Sequence, residues 1–152
     1  LRPFDVIGVT EKELGRSVVD RLVTLARLRS VLDEAGVIAP IHVFGALDPL
    51  ISPLYFMAGG EIFDGLSWIR YAYYNGIAVH QDAVSVLQCH VDDDPQRRDA
   101  RRHLSNLAEL RRVKHRLERW ALEPDRFDLL GPHHQELREV YEILVAQLAR
   151  KG

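Results

Sequence analysis

Three stretches of this chain end an apolar run on residues equipped for chemistry. Ile7-Gly8-Val9 leads into Thr10-Glu11, Ile41-His42-Val43-Phe44 leads through Gly45 to Asp48, and Glu61-Ile62-Phe63 ends on Asp64. Side chains that close an apolar run in this way stand where a parallel α/β fold places its reactive groups. Asp64 is the most pointed candidate because it follows Ile62-Phe63 directly. Each acid also has a plainer use. Aspartate is a favoured helix N-cap, and a glutamate such as Glu11 in a first helical turn complements the helix dipole. On residue type alone, capping is the commoner use of an aspartate placed like Asp64.

The elements that would hold these residues follow from periodicity and punctuation. Phe4-Asp5-Val6-Ile7-Gly8-Val9 predicts a buried strand, short and β-branched. Thr10 and Glu13 fit a capping box, and a helix follows to about Glu34, with Val19, Leu22, Val23, Ala26, Leu32 and Ala35 along one side and Gly36 as its stop. Ile41 to Phe44 is the second strand. Asp48-Pro49 predicts the cap and first position of a helix to about Ala58. Gly59-Gly60 breaks it before a third strand, Glu61 to Asp64, and a helix is expected from about Leu66 to Tyr74, stopped by Asn75-Gly76. In parallel α/β arrangements the reactive groups lie at the C-terminal ends of strands, which is where Val9 to Glu11, Phe44 to Asp48 and Asp64 fall.

Residues 92–152 change character. Asp92-Asp93-Asp94-Pro95 opens a long helix to about Ala121, whose expected buried side is Leu104, Leu107, Leu110, Leu117 and Trp120. Pro124-Asp125 interrupts it. Gly131-Pro132 opens a last helix carrying Leu137, Val140, Tyr141, Leu144, Val145 and Leu148. Between Arg97 and Arg119 stand nine basic residues against three acids, although the whole chain has a formal charge of −2. A phosphate-binding helix has this look, and so does a solvated helix surface.

Composition bounds the rest. A chain of 152 residues, 47% of them hydrophobic, can build one core. The single cysteine, Cys89, excludes an internal disulfide framework and fits a reducing cytoplasm. No apolar run approaches the roughly 18 residues needed to span a bilayer, so no membrane role is expected. The chain opens on Leu1 and enters a strand within a few residues, which suggests a fragment, a processed product or one subunit of a divided enzyme.

Three ordered motifs carry a family resemblance. Pro40-Ile41-His42-Val43-Phe44-Gly45-Ala46-Leu47-Asp48-Pro49 is similar to the P-V-H-L-F-G-A-G-H-P segment of archaeosine-type transglycosylases. Gly60-Glu61-Ile62-Phe63-Asp64-Gly65-Leu66-Ser67-Trp68-Ile69-Arg70-Tyr71-Ala72 resembles that family's G-x-D-x-F-D-S-A-S-Y-A-x-Y-A, and Ile7-Gly8-Val9-Thr10-Glu11 its L-A-V-G-E loop. The trio covers roughly Asp5 to Gly76, in family order and at family-like spacing. The resemblance is thus to the C-terminal half of a tRNA-guanine transglycosylase-superfamily barrel, including the branch that modifies DNA. It implies an α/β fold, a partial (β/α)8 TIM barrel over residues 1–91, with a helical extension over 92–152 packing on it.

The resemblance also implies roles. Asp64 falls on the family's nucleophilic aspartate, Phe44 on the residue that stacks against the base, and Gly45 on the glycine that leaves the base room. Ile7, Gly8, Val9 and Glu11 fall on the loop that recognises the polar edge of a 7-deazaguanine. Arg70, Arg97, Arg98, Arg101 and Arg102 become the expected nucleic-acid contacts, to DNA or tRNA, with DNA slightly favoured. The expected activity is base exchange through a covalent aspartyl-glycosyl intermediate.

Departures from the pattern limit it. The second essential aspartate, in a D-S-G-G-F-Q motif on an earlier strand, has no counterpart, so an N-terminal half-barrel chain or a second copy is an expected partner. The zinc site needs C-x-C-x-x-C and a distant histidine, whereas this chain offers Cys89, His90 and His103; no zinc and no cofactor is expected. Leu47 and Asp48 replace a glycine and a histidine. The competing expectation is a non-catalytic nucleic-acid-binding or scaffolding half-barrel. A decarboxylase or aldolase barrel is weaker, since the only lysine near these strand ends, Lys12, lies within the expected helix.

Overall fold

The computed structural model describes residues 5–150, so the expected strand residue Phe4 and the extension's last two residues lie outside the described residues. Three parallel strands form the centre: β1 (Ile7–Thr10), β2 (Ile41–Phe44) and β3 (Ile62–Phe63), with β2 in the middle. Ile7 pairs with Ile41, Gly8 with His42, Val9 with Val43 and Thr10 with Phe44, while His42 and Val43 continue to Ile62 and Phe63. Because side chains alternate along a strand, this register sorts them onto two faces. Ile7, Val9, Ile41, Val43 and Phe63 share one; Gly8, Thr10, His42, Phe44 and Ile62 share the other.

The first face is packed. Ile41 and Val43 are fully buried, with Leu22 and Leu25 of α2 (Val18–Glu34) and Tyr55 of α3 (Ile51–Met57) in the same core. The Thr10–Glu13 capping box forms as expected, but its helix α1 (Glu11–Leu14) is one turn long. A second reciprocal box, Ser17 with Asp20, restarts the chain as α2. Capping boxes at two N-caps seven residues apart, Thr10 and Ser17, split the expected single helix. Asp48 caps as predicted in chemistry, its Oδ1 accepting from the Leu50 and Ile51 amides at 2.9 and 3.0 Å, although the helix begins at Ile51 rather than Pro49.

Beyond β3 the chain departs from the expectation. The helix predicted for Leu66 to Tyr74 is a single turn, α4 (Ser67–Arg70), followed by an antiparallel hairpin of β4 (Ala72–Tyr74) and β5 (Ile77–Val79). Asn75 and Gly76 have φ of 49° and 81°, the left-handed pair of a two-residue hairpin turn. They connect strands rather than stop a helix. A short α5 (Gln81–Leu87) leads to the long α6 (Pro95–Leu122), which Asp94 caps through the Gln96 and Arg97 amides. A 3-10 turn at Phe127–Leu130 precedes α7 (His134–Arg150).

The buried stripe of α6 is Asn106, Glu109, Val113, Leu117 and Trp120. Leu104 and Leu107, expected inside, are 71% and 45% exposed. Asn106 decides this register. Its side-chain oxygen accepts from the Tyr73 amide at 2.6 Å, and its nitrogen donates to the Trp68 and Tyr71 carbonyls at 2.7 Å each. Three backbone groups of α4 and β4 that would otherwise lack partners outweigh the burial of two leucines. Lower down, Trp120 meets Phe127 at 6.0 Å and both Phe56 and Tyr141 at 6.3 Å. Leu137 and Leu144 of α7 are buried as expected, whereas Val145 is exposed. One continuous core runs from Leu14 and Ile41 to Leu144, across both parts of the chain.

Candidate functional site

The second face of the parallel sheet is the uncovered one. Phe44 is 42% exposed and Ile62 37%, with Val6 exposed beside them. Phe44 lies across β1: a Cβ added at Gly8 would stand 2.6 Å from its ring. Gly8 is therefore needed for close approach, since any side chain there displaces the aromatic ring. On the other flank the rings of Phe44 and His42 are 4.1 Å apart, centroid to centroid, and tilted by 41°.

Asp64 stands at the C-terminal end of this face. Its Oδ1 accepts from the Gly45 amide at 2.8 Å, and its Oδ2 lies 3.7 Å from His42 Nε2. It caps nothing: α4 has Leu66 at its N-cap position and no side-chain cap bond. The capping use of this aspartate is thereby excluded, and the carboxylate points toward the residues that carry the aromatic ring. Gly45 contributes both the amide and, with nothing within 4 Å of an added Cβ, open space.

The loop between Phe44 and α3 is held from the other side. Tyr73 donates its hydroxyl to the Leu47 carbonyl at 2.8 Å, and Ser67 Oγ bonds the same oxygen. The Ser67 and Tyr73 hydroxyl oxygens also lie 2.6 Å apart, so the two share their protons between each other and the Leu47 carbonyl. Burial pushes the Tyr73 phenol above its ordinary range, with the Ser67 hydrogen bond pulling partly back, so Tyr73 remains a neutral donor. This clasp ties the loop at Leu47, two residues past Gly45, to the turn that follows Asp64. Asn106 secures that turn in place.

Glu11 is not brought to the same spot. Its Oε1 accepts from Arg21 at 2.7 Å and from the Tyr55 hydroxyl at 2.8 Å, and among the described residues no hydrogen bond joins it to Asp64. Ile7, Gly8 and Val9 are ladder residues of β1 rather than loop residues, leaving their unpaired side as an open sheet edge. His42, Ser67, Tyr73 and Asn106 are site-building residues that sequence reasoning missed. For His42 a signal existed: it alternates with Ile41 and Val43, as Phe44 does, and so shares the face of Phe44.

The expected nucleic-acid arginines lie on α6, except Arg70 of α4. Arg70 is exposed and makes no ion pair among the described residues. The others each have an acid. Arg97 pairs with Asp94 at 3.3 Å, Arg98 with Asp82 at 3.8 Å, Arg102 with Asp99 at 3.3 Å, and Arg101 with Asp93. The Arg97 pair is exposed on both sides and holds only about 0–1 kcal/mol, so a phosphate can compete for it. Arg102, expected as a nucleic-acid contact, is instead mostly buried and donates to Gln81 as well, so it faces the packed side of the helix. Cys89 is exposed, with φ of 56°. His133 Nε2 meets the Asn75 carbonyl at 2.9 Å and joins the hairpin turn to the start of α7. No helix among the described residues is long and apolar enough to cross a membrane. No protein-family model, curated protein or solved structure matches the chain.

Proposed function

We propose that this chain is part of a base-exchange enzyme that replaces guanine in a nucleic acid with a 7-deazaguanine base, using Asp64 as nucleophile. The observation that carries the reading is the sharing of one uncovered sheet face, at the C-terminal strand ends, by the Asp64 carboxylate and the Phe44 ring. Helices on one face, reactive groups at strand ends and an unfilled opposite face suit a segment of a (β/α)8 barrel, whose interior is otherwise closed by its remaining strands. A base-binding pocket encloses most of its ligand. Phe44 and Asp64 supply one wall, and a complementary half-barrel chain or a second copy would supply the rest.

The chemistry is a double displacement. An Asp64 oxygen attacks C1′ of a guanosine as the C1′–N9 bond breaks; the bonding pair leaves with guanine, which takes a proton from water. The incoming 7-deazaguanine then attacks C1′ from the vacated side, loses its ring N–H proton to water, and returns the ester pair to Asp64 with configuration retained. Phe44 holds either base flat while Gly45 leaves room beside it. No cofactor is needed for this sequence. DNA is the favoured polynucleotide, with Arg70, Arg97, Arg98 and Arg101 as its phosphate contacts.

One observation favours a second reading. Asp64 is 54% exposed, which also suits a non-catalytic half-barrel that only binds or scaffolds nucleic acid. Guanine-labelled DNA and tRNA, incubated with the protein alone and with a complementary half-barrel, separate the two. Label release or exchange that disappears in Asp64→Asn supports the enzyme. Binding without exchange in every combination supports the scaffold.

A further inference from the structure

The geometry assigns to His42 a role as the positioning residue of Asp64, an inference that rests on the nucleophilic reading of that carboxylate. His42 Nε2 is closed off from solvent and has no hydrogen-bond partner among the described residues. A buried polar nitrogen left in that state is destabilising, because its lost water contact is replaced by nothing. The acceptor facing it is Asp64 Oδ2 at 3.7 Å, too far for a hydrogen bond by somewhat less than an ångström. The other carboxylate oxygen is already fixed by the Gly45 amide. A small rotation of Asp64 therefore satisfies the orphan nitrogen and locks the carboxylate at both oxygens. Each oxygen keeps a second lone pair, so a locked Asp64 still has one to direct at C1′.

The ring cannot easily turn elsewhere. Phe44 packs against it at 4.1 Å, and Phe44 is itself seated over Gly8. Gly8, Phe44, His42 and Asp64 thus form a continuous chain of contacts along the open face. A donor on Oδ2 serves both halves of the displacement. It aims the carboxylate before attack and stabilises the negative charge that returns to it when the ester breaks. In the single conformation seen, Asp64 is held by one of these two donors.

His42→Phe keeps a flat ring and removes the nitrogen; His42→Gln restores an N–H donor of similar reach. Base exchange by His42→Phe is expected to fall at least tenfold in kcat with KM within twofold, and His42→Gln to recover most of the loss. Thermal midpoints of both variants check folding. Independently of activity, 15N-imidazole spectra should show a protected His42 Nε2 proton that is lost in Asp64→Ala. A His42 signal indifferent to Asp64→Ala, or a His42→Phe kcat within twofold of the parent, overturns the inference. If the parent exchanges no base but the His42 proton depends on Asp64, the pairing stands and the transglycosylase reading falls.

Discussion

The two faces of one three-stranded sheet are treated in opposite ways. On one, Ile41 and Val43 are fully excluded from water by α2, α3 and their neighbours. On the other, one register position away, His42 and Phe44 stand beside a glycine, a half-exposed carboxylate and open solvent. Apolar area left uncovered forgoes about 25 cal/mol per Å2 of stabilisation. The open face is where the fold gives up stability, and such positions mark surfaces that bind something. The difference teaches that the face proposed to carry function is the one that contributes least to folding.

That division can be broken by substitution. Asp64→Asn should lower base exchange on the order of 10^4-fold, as loss of a nucleophile does. It should leave the denaturation midpoint nearly unchanged, because the exposed side chain can still accept from Gly45. Ile41→Ala, on the packed face, should do the reverse. It should cost about 2–5 kcal/mol in urea unfolding, and activity should fall only as the folded population falls. Equal stability losses for Ile41→Ala and Phe44→Ala would erase the distinction between the faces. Phe44→Ala is expected to cost about 1 kcal/mol or less, while weakening base binding more than tenfold.

Asn106→Leu probes the connection between the site and α6. It strands the Tyr73 amide and the Trp68 and Tyr71 carbonyls, each costing about 1–3 kcal/mol if no water reaches it. Hydrogen exchange should quicken first at the Tyr73 amide and the hairpin, with the β1–β2 ladder little affected. The smallest effect belongs to pH. Burial, reinforced by the hydrogen bond to Glu11, raises the Tyr55 phenol above its ordinary 10.0. A group whose folded value is raised contributes fully below the unfolded value and loses that contribution as pH rises beyond it. Stability should therefore decline above about pH 10, and Tyr55→Phe should flatten that decline while costing the Glu11 contact.

Much of this plan was legible in the sequence, and the failures have particular causes. β1, β2 and β3 were legible because short β-branched runs are bounded by Pro40, Gly45 and Gly59-Gly60, and Thr10 with Glu13 carries its cap in plain view. The hairpin was missed because Asn75-Gly76 has two meanings, a helix stop and a hairpin turn, and the tyrosines before it gave no helical stripe to arbitrate. The buried side of α6 was misjudged because leucines were weighted over Asn106, whose value lies in backbone groups on another element. Asp64 could be marked as a strand-end acid, but its partner could not. The amide of Gly45 is nineteen positions away and is not a side chain at all.

The most direct measurement of the central claim is peptide mass mapping after acid quench of the protein with a guanine-containing oligonucleotide, run with and without a complementary half-barrel. A nucleotide-derived adduct on the peptide carrying Asp64, lost in Asp64→Asn, is the predicted result. An adduct on any other residue, or base exchange that persists undiminished in Asp64→Asn, contradicts it.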